Sequence, residues 1–371
     1  MTPPARVRRL LPLLAALALS APAAAPAPLD VTLIFDPAGG AGAATNQSAL
    51  GGLERAVREH GFAHTTHTAA SAEDALRLAR EAARTGSTHV IAVGRVGAQG
   101  LTGAAREFPG TRFVGVDALP SGTNTAGLRF REQEGGFLAG FLAAARTSTG
   151  VLGVVTVTGD AAGTRYRAGF EAGVGLACPS CRVLVAAVPR GGDTFAATTA
   201  AKGLYARGAD ILLAAARGGN RGVVNAATFV QCLRASALPR GVRFGADPFR
   251  DVPRSGPYRA DCRGETRPAL VIGTESDLAR AGDTDADPAT LNHTLTSVVK
   301  RVDNAVYTVL TEAVQGRPWR TGERAFGLEN GGLELTRDPY NQALIPASLQ
   351  TRLTQVRRLI LSGVVKVPKG P

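Results

Sequence analysis

The sequence predicts an α/β protein made of two similar lobes, each built on a parallel β-sheet. Short β-branched runs alternate with longer segments rich in alanine, leucine and arginine, and this alternation is typical of βαβ units. The pattern restarts after Thr149-Gly150, so we expect two sheets rather than one continuous sheet. The 371 residues also suffice for two domains of ordinary size.

The elements follow from periodicity and from the positions of glycine and proline. The first half predicts strands at 31–35, 64–68, 89–93 and 112–116, with helices at 47–60 and 72–85. The second half predicts strands at 151–157, 183–188, 211–216 and 269–273, with helices at 164–176, 194–207 and 223–233. A polar insertion rich in proline and arginine spans about 237–267. The chain then predicts a helix at 294–314, strand-like runs around Phe326 and Leu333, and a last helix at 346–361.

The first 25 residues read as a secretory signal peptide. Arg6, Arg8 and Arg9 precede an apolar run from Leu10 to Leu19, and small residues follow at 21–25. A membrane anchor is the alternative, but the run is far shorter than the roughly 20 apolar residues that span a bilayer. No cysteine stands near the cleavage site for lipid attachment. The sequence therefore predicts an exported protein, periplasmic or extracellular.

Charge and motifs argue against several classes of protein. The formal net charge is +12, and it falls to about +9 when the three arginines of the signal peptide are removed. The arginines are scattered and form no basic stripe interleaved with aromatic residues, so nucleic-acid binding is not indicated. The chain lacks G-x-S-x-G, a phosphate-binding G-x-x-x-x-G-K and H-E-x-x-H, so we expect neither an enzyme nor a cofactor. His64 and His67 are three apart on a predicted strand and point to opposite faces, which makes a poor metal pair.

Four cysteines fit an oxidising compartment. Cys178 and Cys181 lie in a C-P-S-C turn, and Cys232 and Cys262 flank the polar insertion. Three pairings are possible, and we favour Cys178 with Cys181 and Cys232 with Cys262, because each would close a loop. A four-cysteine zinc site is the alternative, although the second pair lacks the short ligand spacing.

Polar residues that follow predicted strands are the candidate ligand contacts, because ligands of open parallel sheets bind beyond the carboxyl ends of the strands. Asp36, Asp117 and Glu275 each follow a strand, and Gly219 lies in a glycine turn after another. Asn46 opens the helix after a Gly/Ala loop, where a helix cap is an equally good interpretation.

Several motifs in order resemble the basic membrane protein family, whose members are nucleoside receptors of ABC transporters. They are Asn46-Gln47-Ser48-Ala49, Phe113 to Asp117, Glu132 to Gly140, Gly169-Phe170 with Ala172-Gly173-Val174, Gly208 to Ile211, Gly273 to Asp277, Thr296-Ser297 with Lys300, and Gly363 to Pro368. The resemblance runs from about residue 31 to 368, interrupted by the insertion.

This resemblance implies a type I periplasmic-binding fold, with two Rossmann-like lobes joined by hinge crossovers and a nucleoside held between them. It implies that Asp36, Asn46 and Asp117 bind the base, that Glu275 and Lys300 hold the ribose hydroxyls, that Gly219 offers a backbone contact, and that Phe195 stacks on the base. The chain departs from the family at Thr45, which replaces a stacking phenylalanine, and at Glu275, which replaces an aspartate. A purine nucleoside is thus the default ligand, and an ABC permease the implied membrane partner of a monomeric receptor.

The lobes are predicted from these assignments. We expect the signal peptide at 1–25, a first lobe of 26–146 plus 274–315, a second lobe of 147–273 plus 316–345, and a C-terminal helix and tail at 346–371. A ligand-binding sensor or surface protein of the same fold, recognising a different small polar ligand, is the alternative function.

Overall fold

The computed structural model describes residues 28–37, 41–94, 97–189 and 191–370. The predicted signal peptide lies outside the described residues. The strands are β1 (Asp30–Phe35), β2 (Ala63–Thr68), β3 (His89–Val93), β4 (Arg112–Val116), β5 (Thr125–Phe130), β6 (Val151–Val157), β7 (Arg182–Val188), β8 (Ile211–Ala215), β9 (Cys232–Arg234), β10 (Thr266–Pro268), β11 (Leu270–Glu275), β12 (Thr294–Lys300), β13 (Gly322–Phe326) and β14 (Leu333–Leu335). The helices are α1 (Ala41–His60), α2 (Ala72–Arg84), α3 (Gly97–Glu107), α4 (Glu132–Arg146), α5 (Ala161–Ala177), α6 (Thr194–Ala206), α7 (Asn220–Val230), α8 (Gly256–Asp261), α9 (Ala279–Gly282), α10 (Val302–Val314) and α11 (Ala347–Leu361).

Two six-stranded sheets form the two lobes. The first has the order β13-β5-β4-β3-β1-β2, and its neighbours are parallel throughout. The second has the order β14-β12-β11-β8-β6-β7 and is parallel except at the edge strand β14. The central strands β3, β6 and β8 are buried along their whole length, as expected of parallel strands covered by helices on both faces.

The predicted amphipathic helix near residue 72 shows how local sequence sets an element. The Ser71 hydroxyl accepts a hydrogen bond from the Asp74 backbone N–H and caps α2. The apolar stripe Ala75, Leu78, Ala79 and Ala82 is buried against the first sheet, as its spacing predicts.

The first third of the helix predicted at 294–314 is a strand. Residues 294–300 form β12 in the second sheet, and helix α10 begins only at Val302. The run Thr294 to Val299 is rich in β-branched residues and is buried on both faces, so its apolar residues carry no alternation to mark it as a strand. The short strand β5 was not predicted.

The chain crosses between the lobes three times: at Arg131, at Arg301 and through residues 327–332. The predicted boundaries are therefore wrong in three places. Helix α4 packs on α5 of the second lobe, not on the first. Residues 274–300 contribute β12 to the second sheet, and β13 joins the first sheet rather than the second. These assignments depend on long-range pairing, which local sequence does not reveal.

Helices α4 and α5 approach each other backbone to backbone. A Cβ atom at Gly136 would lie 2.3 Å from the Tyr166 carbonyl oxygen, and one at Gly140 would lie 2.0 Å from that of Phe170. On α5, a Cβ at Gly169 or Gly173 would meet a carbonyl of α4 at 2.0 Å. The glycines of both family-like motifs thus let the two helices pack closely.

We predict that Gly140→Ala lowers the free energy of unfolding by about 1–3 kcal/mol, because the added methyl group forces the helix backbones apart. Urea unfolding followed by circular dichroism measures this. Gly175→Ala is the control, since nothing lies within 4 Å of a Cβ at that position of α5. Equal losses in both variants would contradict the proposed close packing.

Both favoured cysteine pairings are present in the structure. Disulfides join Cys178 to Cys181 and Cys232 to Cys262. The second ties α8 to the antiparallel ribbon formed by β9 and β10, so the polar insertion is a folded appendage of the second lobe. It lies beside Ser148, near the amino ends of the strands of the second sheet.

Candidate functional site

A buried ion cluster lies where the two sheets meet. Lys300, the last residue of β12, is 2 % exposed. Its Nζ lies 2.9 Å from Asp117 Oδ2, 3.0 Å from Glu275 Oε2 and 3.3 Å from Glu132 Oε1. Asp117 belongs to the first lobe and both glutamates to the second, so one ammonium group bridges the lobes.

The cluster shifts the proton affinities of its members. Burial lowers the pKa of Lys300, but the carboxylates of Asp117, Glu275 and Glu132 outweigh it and raise that pKa well above its ordinary value. Burial raises the pKa of Glu275, and the nearby Lys300 ammonium opposes this rise. The Lys300 ammonium group therefore keeps its positive charge at neutral pH.

Three residues at strand ends hold left-handed backbone conformations. The φ angles are +54° at Asp117, +72° at Glu275 and +51° at Arg217. Such angles are uncommon outside glycine and cost on the order of 1–3 kcal/mol each. Their grouping at the carboxyl edges of the sheets is typical of a functional site, where surrounding structure holds strained residues in place.

Glu132 connects the cluster to helix α5. It is the first residue of α4 and is fully buried, and its Oε2 accepts a 2.6 Å hydrogen bond from Arg165 Nε. The neighbouring Tyr166 is 1 % exposed, and its hydroxyl has no hydrogen-bond partner within the part of the chain that the structure describes. Burial, and next the charge of Glu275, raise the pKa of Tyr166 well above its usual range.

A second ion pair borders the cleft on the second lobe. Arg217 Nε donates a 2.7 Å hydrogen bond to Asp160 Oδ1, while Asp160 also caps α5 by accepting from the Gly163 N–H. Arg217 begins a short 3-10 helix that ends at Gly219, a buried residue. The Asn220 amide donates to both oxygens of Thr274, which fixes this turn against β11.

The first-lobe candidates lie together at the start of α1. Asn46 Nδ2 donates a 2.8 Å hydrogen bond to the Asp36 carbonyl oxygen. Asn46 Oδ1 is buried, and none of the described residues donates a hydrogen bond to it. Helix α1 begins at Ala41, so Asn46 and the half-buried Thr45 lie inside the helix and the interpretation of Asn46 as a helix cap is wrong. This end of the first lobe faces the second, since α1 contacts the Arg217–Gly219 turn and β11.

The structure thus brings together most of the predicted contacts. Asp117, Glu275 and Lys300 share one cluster, and Asp36 adjoins Asn46. Phe195 differs, because its side chain is 80 % exposed in the first turn of α6.

Sequence reasoning missed several polar residues of the site: Glu132, Arg165, Tyr166, Asp160 and Arg217. Glu132 lies in a motif that we had quoted only as a family resemblance. Arg165 and Asp160 reach their partners across 33 and 57 positions, and no local pattern marks such pairs.

Comparison with known proteins places this geometry in a family. Residues 30–229, more than half of the chain, match the Bmp family model, described as ABC transporter substrate-binding protein PnrA-like. This chain belongs to the Bmp family. The chain is 25% identical over 351 residues to the CD4+ T-cell-stimulating antigen of Listeria monocytogenes, covering 92% of this chain and 88% of the relative. It is also 23% identical to the ABC transporter nucleoside-binding protein BmpA of Lactococcus lactis, over 92% and 89% of the two chains.

Solved structures show the same fold. The solute-binding protein of an ABC transporter system from Aeropyrum pernix superposes with a TM-score of 0.66 at 22% identity, covering 92% of this chain and 94% of its own. A second, from Conexibacter woesei, gives a TM-score of 0.66 at 20% identity over 92% and 99%. The predicted type I periplasmic-binding fold is confirmed.

Membership in the Bmp family confirms the broad functional predictions. The chain is a substrate-binding protein of an ABC transporter, not an enzyme, and its partners are a small molecule and a permease. Proteins of this kind are exported or periplasmic. None of the helices in the described ranges is long and apolar enough to cross a membrane.

Proposed function

We propose that this Bmp-family protein binds a nucleoside in the cleft between its lobes, with a purine nucleoside as the default, and delivers it to the permease. The observation that carries the proposal is the buried cluster of Lys300 with Asp117 and Glu275 at the junction of the two sheets. Ribose hydroxyls can both donate to carboxylates and accept from an ammonium group, so they suit this mixture. The nucleoside-binding name of the Lactococcus relative supports the same ligand class.

The first lobe would recognise the base. The buried Asn46 Oδ1 is an acceptor ready for a ligand N–H group, since leaving it unpaired is costly. Asp36, whose carbonyl holds the Asn46 side chain, would add a second acceptor beside it. The backbone near Gly219 lies opposite, on the second lobe. Thr45 offers no aromatic face, so stacking at this position would be lost relative to a phenylalanine, a difference of about 0.5–1.5 kcal/mol.

We predict that Asn46→Ala weakens nucleoside binding by about ten- to a hundredfold, because the base loses a buried hydrogen-bonding partner. Titration calorimetry with adenosine, guanosine, inosine and their bases measures the affinity. The control is Gln47→Ala, which removes an exposed amide from the adjacent position of α1. Tight binding of an unrelated solute, with no response to any nucleoside, would refute the ligand assignment and leave the receptor role intact.

Phe195 separates two versions of the proposal. If it stacks on the base only when the lobes close on ligand, Phe195→Ala weakens binding, whereas a purely exposed residue leaves the affinity unchanged.

We also propose that the protein is exported through its signal peptide and acts as a monomer. Intact-mass measurement of the secreted protein and light scattering test these two points.

A further inference from the structure

We infer that Glu132 is a positioning residue for Lys300, and that its charge keeps the empty cleft able to open. This inference rests on the proposed function only in requiring that the cleft between the lobes opens and closes. The observation behind it is the placement of the four charged neighbours on two different lobes.

Three charged residues of the cluster belong to the same lobe as Lys300 and would move with it when the cleft opens. Glu132 on α4, Glu275 on β11 and Arg165 on α5 all belong to the second lobe, as Lys300 itself does on β12. Among the described residues, Asp117, which follows β4 of the first sheet, is the one ion-pair partner of Lys300 from the opposite lobe, and the Phe130 ring of β5 lies 5.3 Å from its Nζ. Opening the cleft would therefore separate Lys300 from Asp117 and Phe130 and leave its ion pairs with the two glutamates intact.

The charges on the second lobe balance by themselves. With both glutamates ionised, Lys300 and Arg165 carry two positive charges and Glu132 and Glu275 two negative charges, so the sum is zero before Asp117 is counted. On closure the Asp117 carboxylate is attracted by Lys300 but repelled by the two glutamates. The closed, empty cluster then holds one surplus negative charge, which ligand hydrogen-bond donors would relieve.

The position of Glu132 suits it to balance the charge of Lys300 on the second lobe. Its Oε1 lies 3.3 Å from Lys300 Nζ, outside hydrogen-bond geometry, so the contact is an ion pair. Its Oε2 is held by Arg165 at 2.6 Å, and the side chain is fully buried, so the carboxylate cannot turn away. Its charge balances that of the Lys300 ammonium group, while the N–H donors of this group stay available for Asp117, Glu275 and a ligand.

The test is small-angle X-ray scattering of the whole protein, freed of ligand by unfolding and refolding. Glu132→Gln removes the charge but preserves the shape of the side chain. The Asp117 carboxylate is then repelled less when the lobes close, while its attraction to Lys300 is unchanged. We expect the closed fraction of the ligand-free protein to rise on the order of tenfold, which lowers the radius of gyration. Glu132→Asp retains the charge and should stay close to the wild type.

A control within the second lobe is Asp210→Asn. Asp210 is also buried, but its carboxylate accepts hydrogen bonds from Thr147 and Ser148 at the amino ends of the second sheet, away from the crossovers. The inference is overturned if Glu132→Gln leaves the radius of gyration unchanged, or if Glu132→Asp or Asp210→Asn produces the same compaction. Because no ligand is present, failure of the nucleoside assignment would not affect this result.

Discussion

Replacing Lys300 with methionine is expected to lower the free energy of unfolding by about 3–5 kcal/mol, the loss typical of removing one partner from a buried ion pair. Methionine matches the length of the lysine side chain, so the main change is the missing charge. Asp117, Glu132 and Glu275 would then lie close together without the ammonium group at their centre, and Arg165 and Arg217 would remain the nearby positive charges. Chemical denaturation at neutral pH measures the loss.

The pH dependence of this loss has a definite sign. Without the ammonium group, burial and the neighbouring carboxylates raise the pKa of Glu275 in the folded variant above that in the unfolded chain. A carboxyl group whose pKa is raised on folding contributes stability at low pH and loses it as pH rises through the raised value. The deficit of Lys300→Met should therefore shrink as pH falls toward the ordinary glutamate value of 4.5.

Lys202→Met is the matched control, because Lys202 lies over the Phe229 ring on the surface of the second lobe. We expect it to change stability by less than about 1 kcal/mol. A loss for Lys300→Met no larger than this, or one that grows toward acidic pH, would refute the described cluster.

The second large effect concerns the disulfide of the polar insertion. Cys232→Ser with Cys262→Ser should lower the free energy of unfolding by about 3–4 kcal/mol, because the disulfide closes a loop whose ends are 30 positions apart. The same double change at Cys178 and Cys181, three positions apart, should cost about 2 kcal/mol in the chain-entropy model. Thermal unfolding of both double variants shows which disulfide contributes more to the stability of the fold. Equal or reversed losses would show that loop length does not govern them.

Much of the fold could be predicted from sequence, because each βα unit carries its own signal. The alternation of short β-branched runs with amphipathic helices such as α2 marked both lobes and their separation. The failures have two physical causes. β12 is buried on both faces, so its hydrophobic pattern does not distinguish a strand from a helix, and the lobe membership of α4 and β13 depends on partners distant in the chain.

The candidate site divides in the same way. Asp117 and Glu275 stand directly at strand ends, where polar residues of a parallel sheet are candidates for ligand binding. Lys300 was identified through the family resemblance. Glu132 and Arg165 are packed between helices, and their importance arises only when α4 and α5 lie side by side. A buried salt bridge between two helices leaves no signature in either helix alone.

The discontinuous first lobe affects how the chain matures. Its sheet is completed by β13 and its helical layer by α10, which packs on α1, and both elements come after the whole second sheet except β14 has been synthesised. A nascent chain that ends near residue 300 would leave the apolar residues Leu53 and Ala56 of α1 without the α10 residues that bury them. We therefore expect the first lobe to be completed only after residues up to about 326 have been synthesised, although its strands β1 to β5 emerge early.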